Sequence, residues 1–251
     1  MLSETCSQMI NTQGRLSGLK DANSVEVVSD FIKSHLSYFA NENKGSALPE
    51  NSLTQHLLRL LNSICIKQNI YFPFYFDKED IQDEVNAMSP RVDVGVISTK
   101  DEGVVIGVKR YSNRESFFSV EAKILNSNFP AQREKEYLIG YYDPKAKKYK
   151  DTGGVERFKK LIHGKNLSYA GIIAYITSED ISYWENKIDT WLSELISASP
   201  VNDVRWESSD KLSIIEKDRV KAFFQSKNSR KDDYITLRHF WVMLHNNHSS
   251  V

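Results

Sequence analysis

The chain has 251 residues, of which 40% are hydrophobic and 26% are charged, a composition that is ordinary for a soluble globular protein with a sizeable core. Its 33 basic and 33 acidic residues cancel, so no overall positive field attracts nucleic acid, and a surface that binds it has to be local. No apolar run approaches the roughly 20 residues of a membrane span, and the N-terminus lacks the pattern of a signal peptide. The two cysteines, Cys6 and Cys65, lack metal-ligand spacing, so we expect a cytoplasmic protein with no membrane partner.

The N-terminal part of the chain predicts two amphipathic helices. Residues 1–23 are polar and are expected to be flexible, and the segment 24–48 then contains a helix to about residue 41, with Ser24 as its N-cap. A second helix begins at Pro49 and Glu50. Residues 71–76 predict a strand, and residues 77–89 predict an acidic, solvated loop.

Glu50 lies in the first turn of the second predicted helix, at the edge of its apolar stripe. A carboxylate in a first turn complements the helix dipole. That role is sufficient to explain the residue without any part in chemistry.

Asp93 interrupts an apolar run at residues 90–98 that predicts a strand covered on both faces. A buried carboxylate is costly unless it is paired or bound to a metal. The alternative is a carboxylate near the beginning of the strand that accepts a nearby backbone N–H. A turn at 99–103 and a return strand at 104–109 follow, so we expect an antiparallel meander.

The third strand of this meander is predicted at residues 117–125, where apolar and polar residues alternate. Glu121 and Lys123 therefore point to the same face, about 7 Å apart along the strand. One interpretation is a functional carboxylate and ammonium held side by side. The other is an ion pair on a solvated face of the sheet.

An Asp on one strand followed by Glu-x-Lys on the next resembles the PD-(D/E)xK nuclease superfamily, which has the restriction-endonuclease-like fold. The resemblance covers residues 49–177, and Pro90 stands three positions before Asp93 instead of directly before it. The stretches GGVERFKKLIHG and YAGIIAYI also resemble prokaryotic, defence-associated members of this group.

The resemblance implies a site for Mg²⁺ or Mn²⁺ and a role for each matching residue. Asp93 and Glu121 would be metal ligands, with the carbonyl of Ala122 as a third. Lys123 would orient or deprotonate the attacking water and stabilise developing charge. Glu50 matches a glutamate that family members often carry on the helix before the catalytic sheet, where it helps to position the metal or its water.

A long connection at residues 126–152 leads to a helix predicted to begin at an Asp151/Thr152 cap and to run to His163. Residues 132–165 contain ten Lys or Arg and five Asp or Glu, a local excess of five basic residues. A solvated charged face is one interpretation, and a patch that neutralises phosphates is the other. The candidate nucleic-acid contacts are Lys145, Lys147, Lys148, Lys150, Arg157 and Lys160, and Lys159 is expected to be exposed with them.

The remaining chain predicts a central buried strand at 169–177, a long helix to about residue 198, short strands at 204–206, 212–215 and 220–225, and a final helix at 237–245. His239 and His245 are expected at the surface or in caps. The fold class is α/β, with a restriction-endonuclease-like α-β-β-β-α-β core, a mixed central sheet, an extra N-terminal helix and a C-terminal elaboration at 178–251. The whole chain is expected to be a single domain.

The predicted function is a Mg²⁺-dependent endonuclease that hydrolyses phosphodiester bonds in DNA. One alternative is a non-catalytic nucleic-acid-binding or assembly subunit that keeps the fold. A third is a partner-binding protein whose basic loop docks onto an acidic surface. A homodimer would suit cleavage of both DNA strands, although nothing in the sequence requires one.

Overall fold

The chain alternates helices with strands, and most strands join one sheet. The computed structural model describes residues 22–67, 73–81 and 91–245. Within them the helices are α1 (Ala22–Glu42), α2 (Glu50–Lys67), α3 (Gly154–Lys159) and α4 (Ile181–Ser197). The strands are β1 (Phe74–Ile81), β2 (Arg91–Ser98), β3 (Val104–Ile106), β4 (Lys109–Tyr111), β5 (Ser116–Leu125), β6 (Tyr141–Asp143), β7 (Lys148–Lys150), β8 (Tyr169–Ile176), β9 (Ser213–Lys217), β10 (Lys221–Ser229) and β11 (Tyr234–Met243).

The central sheet has seven strands in the order β1-β2-β5-β8-β11-β10-β9. β5, β8 and β11 run parallel to one another, and the other neighbours are antiparallel. The predicted α/β class with a mixed central sheet is therefore confirmed. Among the described residues, no helix is long and apolar enough to cross a membrane.

The sheet and helices share one core. β8 lies at its centre, and every residue from Ala170 to Ile176 is buried, as expected for a strand that is covered on both faces. α1 packs against β10 and β11, and α2 packs against β1 and β5. Because α2 begins beside β5, its first residue lies at the edge of that strand.

The predicted return strand at 104–109 does not join the sheet. Residues 104–111 form a separate β3–β4 hairpin, which turns at Gly107, where φ is +64°. At Gly103, with φ of +71°, a Cβ would overlap the carbonyl oxygen of Tyr111, so glycine is needed there as well. The antiparallel meander of the sheet is instead formed by β1, β2 and β5.

The predicted final helix at 237–245 is wrong, since these residues belong largely to β11. Six of the ten residues of β11 are β-branched or aromatic, which favours a strand, namely Tyr234, Ile235, Thr236, Phe240, Trp241 and Val242. A short apolar run does not distinguish the two structures by periodicity. His239 is consequently buried, with Nδ1 2.6 Å from the Tyr137 hydroxyl and Nε2 2.8 Å from Ser226 Oγ. Burial lowers the pKa of His239 to about 3, so its expected surface position is also wrong. His245 lies at the edge of the described chain, against the carbonyl of Glu179.

Three smaller predictions also differ. α1 begins at Ala22, so Ser24 is a buried residue inside the helix and not its N-cap. α3 is capped by Gly153, because Thr152 donates to Glu136 at 2.8 Å and Asp151 pairs with Lys160 at 2.7 Å. The strand predicted at 204–206 is absent from the described structure, which has an isolated bridge between residues 201 and 204.

Some predictions lie outside the described residues. These are the flexible segment at 1–21 with Cys6, the start of the first strand at 71–72, and the part of the acidic loop at 82–89. The described part of that loop, residues 77–81, belongs to β1 and pairs with β2, so the loop prediction is wrong there. The other cysteine, Cys65, is half-buried and packs against the core, and burial raises the pKa of its thiol to about 11.

Candidate active site

Asp93 lies where two strands of the sheet separate. β2 pairs with β5 as far as Val94 and Val120, whereas Val92 is still paired with β1. Beyond this point the backbone N–H of Ala122 donates to Asp93 Oδ2 at 2.7 Å. The carboxylate thus accepts the N–H that would otherwise have donated to the backbone of β2. If the register of β2 and β5 continued by one residue, Asp93 would lie opposite Glu121, with both side chains on the same face of the sheet.

Glu50 occupies the next position along the same edge of β5. It is the first residue of α2, and its Oε2 accepts the backbone N–H of Ile124 at 2.9 Å. N–H groups of alternate residues on a strand point to the same neighbour. Asp93 and Glu50 therefore replace β2 at two successive bonding positions of β5.

Glu121 and Lys123 form a buried ion pair. Lys123 Nζ lies 2.8 Å from Glu121 Oε1 and 3.9 Å from Glu50 Oε1, and only 1% of Glu121 is exposed. The interpretation as an ion pair on a solvated face is therefore wrong. α3 begins directly over Lys123: a Cβ at Gly154 would lie 2.8 Å from the Tyr137 carbonyl oxygen and 3.4 Å from Lys123 Cγ.

Two further side chains reach Glu121. Arg157 Nη1 donates to Glu121 Oε1 at 2.7 Å, and His163 Nε2 lies 3.3 Å from Glu121 Oε2. The sequence pattern predicts Arg157 on an outer basic face and gives His163 no role in the site. α3 ends at Lys159, and Leu161 has a φ of +57°, a backbone reversal that periodicity does not predict for leucine.

The turn after α3 explains how His163 returns to the site. The N–H groups of Ile162 and His163 both donate to the carbonyl of Arg157, at 2.9 and 3.1 Å. The chain therefore wraps around the end of the short helix, and the imidazole is completely buried beside the carboxylate of Glu121.

The ionisable groups of the site shift one another in different directions. Burial raises the pKa of Glu121, but Lys123, His163 and Arg157 lower it by more than burial raises it. The pKa of Glu121 is therefore well below its usual range. Burial lowers the pKa of Lys123, but the charges of Glu121, Glu50 and Asp93 outweigh this effect and raise it. At neutral pH Glu121 is therefore ionised and Lys123 is a cation.

Asp93 is the group whose charge is least compensated. Burial and the neighbouring charge of Glu121 raise its pKa to about 7, against the opposing effects of Lys123 and the Ala122 N–H. Burial likewise raises the pKa of Glu50 and lowers that of His163. Asp93 is consequently close to half-protonated at neutral pH, which is unusual for an aspartate and typical of functional sites.

Buried polar atoms without a hydrogen-bond partner concentrate here. Of the nine such side-chain atoms in the described residues, four belong to the site: Glu121 Oε2, Arg157 Nε and both ring nitrogens of His163. Native structures have few atoms of this kind, and a group of them indicates a site for water or a ligand. Two of these four atoms face each other, since Glu121 Oε2 lies 3.3 Å from His163 Nε2.

The oxygen atoms of the site suit a hard metal cation that is bound through few protein ligands. Within the described ranges, no three His, Cys, Asp or Glu side chains converge as a metal site. Asp93 and Glu121 each engage one oxygen in hydrogen bonds, and the Ala122 carbonyl faces the same side as its N–H. Mg²⁺ is commonly bound through one or two carboxylates and several waters, so this set of oxygen donors fits it.

The predicted nucleic-acid contacts separate into two groups. Lys145, Lys147 and Lys148 are exposed around the turn of the β6–β7 hairpin, and Lys150 lies 3.9 Å from Asp143. Lys160, in contrast, pairs with acidic neighbours within its own region, at 2.7 Å from Asp151 and 3.1 Å from Glu156.

Lys159 is buried, although the sequence predicts an exposed position. Its Nζ lies 2.7 Å from Asp210 Oδ1, and both side chains are almost fully inaccessible. The pair joins α3 to the segment between α4 and β9. The prediction of an outward-facing lysine is therefore wrong.

A cleft of about 640 Å³ opens beside Glu50 and Lys123. A somewhat larger one, of about 740 Å³, is lined by residues such as Tyr38, His56 and Arg59 of α1 and α2 and includes none of the ion cluster around Glu121. Of the two, only the cleft beside Lys123 reaches the ion cluster, through Glu50 and Lys123, whereas Asp93 and Glu121 do not line it.

Comparisons of the chain with protein-family models, with curated proteins and with solved structures find no match.

Proposed function

We propose that the protein is a metal-dependent endonuclease of the PD-(D/E)xK type, which hydrolyses phosphodiester bonds in DNA with Mg²⁺ or Mn²⁺. The observation that carries the proposal is the meeting of Asp93, Glu121 and Lys123 where β2 and β5 separate. The order α2, the meander β1-β2-β5, α3 and β8 supports it further, because it matches the α-β-β-β-α-β order of the restriction-endonuclease-like fold. Cleavage of both strands would require two such sites, as in a homodimer.

The charge balance of the site favours a divalent cation. Asp93 is hard to ionise beside Glu121, which is why its pKa is raised to about 7. A cation bound between the two carboxylates would lower the cost of ionising Asp93. When bound, Mg²⁺ would neutralise charge on the phosphate and activate a water; Asp93, Glu121 and the Ala122 carbonyl would hold it.

Lys123 is suited to stabilise charge and orient water. Its raised pKa keeps it protonated, so it can donate hydrogen bonds to a phosphate oxygen or to the attacking water but is a poor base. In the hydrolysis, the water oxygen bonds to phosphorus and the bond to the leaving sugar oxygen breaks. The attacking water loses its proton to solvent, and the leaving oxygen takes up a proton from solvent. Glu50 fixes β5 through the Ile124 N–H and lies 3.9 Å from Lys123.

A non-catalytic nucleic-acid-binding or assembly subunit is the second candidate, and one observation favours it. Glu121 Oε1 already receives hydrogen bonds from both Lys123 and Arg157, so the buried carboxylate is neutralised by its own neighbours. In that case the cluster would act as a structural ion network, and the exposed lysines of the β6–β7 hairpin would bind phosphates.

Relaxation of supercoiled plasmid distinguishes the two candidates. We expect the wild-type protein to nick DNA with Mg²⁺ or Mn²⁺ and not with EDTA. Asp93→Ala and Lys123→Ala should lose nicking by at least about 100-fold, whereas Asp101→Ala, at an exposed turn, should be unaffected. DNA binding without metal-dependent nicking by the folded wild-type protein would reject the endonuclease and favour the binding subunit.

A further inference from the structure

The cleft beside Lys123 lies at the carboxyl ends of three parallel strands. Leu125, Ile176 and Met243 are in register at the ends of β5, β8 and β11. The residues that follow these strands, Asn126, Thr177 and Leu244, line the cleft. In open α/β sheets this edge is where ligands bind.

The cleft contains an aromatic ring and an arginine in contact. The guanidinium of Arg133 lies over the ring of Phe129, 5.4 Å from its centroid. Arg133 Nε donates to Glu136 Oε2 at 2.7 Å, which fixes the side chain while 46% of it stays exposed. Aromatic rings and arginine planes are the surfaces on which unpaired bases stack.

The wall beside this ring is held by hydrogen bonds. Asn126 Nδ2 donates to Thr177 Oγ1 at 3.0 Å, and its Oδ1 accepts the N–H of Asn128 at 2.8 Å. Both ends of the amide are therefore occupied, and the segment leading from β5 to Phe129 is anchored to β8. A base on Phe129 would meet a preorganised surface, which reduces the entropic cost of binding.

We propose that this cleft binds an unpaired nucleotide of the substrate next to the scissile phosphate. The inference rests on the proposed function, since Lys123 lines both the cleft and the carboxylate site. A volume of about 640 Å³ lies in the range of small-molecule pockets, and a base has to leave the stack of a duplex before it can lie on the ring of Phe129. The preferred substrate is therefore single-stranded nucleic acid, or a duplex with unpaired bases at the cleavage point.

The test uses the full chain with matched oligonucleotides, one single-stranded and one fully paired, each carrying a 5-iodouracil that crosslinks to stacked aromatic side chains under ultraviolet light. Affinity is measured in Ca²⁺, and the crosslinked residue is identified by mass spectrometry. The variants are Phe129→Ala, Phe129→Leu, which keeps apolar volume without a ring, and the control Tyr234→Ala. Tyr234 is 51% exposed with Lys227 Nζ 4.6 Å from its ring centroid, and it lies at the opposite end of β11 from Leu244.

We expect the single strand to bind about tenfold more tightly than the duplex and to crosslink to Phe129. Both Phe129 variants should lose about tenfold in affinity for the single strand, and Tyr234→Ala should lose none. Equal affinity for both oligonucleotides, or wild-type affinity of folded Phe129→Leu, would overturn the inference. Metal-dependent cleavage with no strand preference would reject this inference and leave the endonuclease intact, whereas crosslinking to Phe129 without cleavage in any metal would support the cleft and reject the endonuclease.

Discussion

The backbone N–H of Ala122 donates to the carboxylate of Asp93 at 2.7 Å, at the point where β2 leaves β5. One oxygen of Asp93 thus completes the hydrogen bonding of the sheet, and the other has no hydrogen bond to the described residues. The two interpretations of Asp93 from the sequence, a carboxylate that accepts a backbone N–H and a metal ligand, are therefore compatible. Because β2 and β5 separate at this point, one oxygen of Asp93 can accept the backbone N–H while the other is available to a metal.

Replacement of Asp93 by asparagine should stabilise the metal-free protein at neutral pH. The pKa of Asp93 is raised to about 7 in the folded protein, so the carboxyl group favours folding while it is protonated, and this contribution is lost as pH rises from about 4 to about 7. The amide of the variant would remain neutral, and its oxygen can still accept the Ala122 N–H. We expect melting temperatures to be equal at pH 4 and the variant to melt about 5 °C higher at pH 8.

Differential scanning fluorimetry across this pH range, in EDTA, measures the effect. Asp101→Asn serves as the control, because Asp101 is exposed in a turn and its replacement should not change the pH dependence. If the wild-type protein were at least as stable as Asp93→Asn at pH 8, neighbouring groups would already neutralise the negative charge of Asp93, and the prediction would be wrong.

Arg157→Ala should destabilise the fold, since it leaves the buried carboxylate of Glu121 without one of its two charged donors on Oε1. Loss of one partner of a buried ion pair costs about 3–5 kcal/mol, and we expect the lower part of this range because Lys123 remains. Urea denaturation measures the change in the free energy of unfolding. Lys145→Ala, at the exposed hairpin turn, is the control. If Arg157 were a surface phosphate contact, as its position in a basic segment predicts, the two variants would be equally stable.

Removal of either partner of the buried Lys159–Asp210 ion pair should destabilise the protein, because the other charge is then left buried without a partner. Burial lowers the pKa of Lys159 and raises that of Asp210, while each partner opposes the shift of the other. We expect Lys159→Met and Asp210→Asn each to cost about 3–5 kcal/mol in the free energy of unfolding. The double variant should cost less than the sum, because neither charge is then left unpaired. Additive losses in a double-mutant cycle would exclude coupling between the two side chains.

Much of the candidate site follows from local sequence patterns. The alternation around Glu121 places it on one face with Lys123, and the start of α2 places Glu50 at a helix terminus. Local patterns describe single elements, however, and the contacts of Arg157 and His163 with Glu121 depend on the turn at Leu161, with its φ of +57°. A left-handed leucine is held by its tertiary surroundings, and no residue type in this stretch indicates it.

The C-terminal strand differs from its sequence-based prediction for another reason. The second half of β11, from Phe240 to Met243, is a short apolar run, and such runs suit a buried strand or a buried helix equally well. The segment forms a strand because it lies between β8 and β10 and its backbone is hydrogen-bonded to both. Its burial also places His239 in a hydrogen-bond network with Tyr137 and Ser226 that a surface assignment does not anticipate.

Binding of Mn²⁺ to the purified protein tests the central claim, that Asp93 and Glu121 together hold a divalent cation. Isothermal titration, supported by the electron paramagnetic resonance of free Mn²⁺, counts the sites and measures their affinity. We predict a site in the wild-type protein and in Asp101→Asn that is lost in Asp93→Asn and in Glu121→Gln, provided that each variant retains the wild-type circular dichroism. Unchanged Mn²⁺ binding in folded Asp93→Asn, or no binding by the wild-type protein, would contradict it.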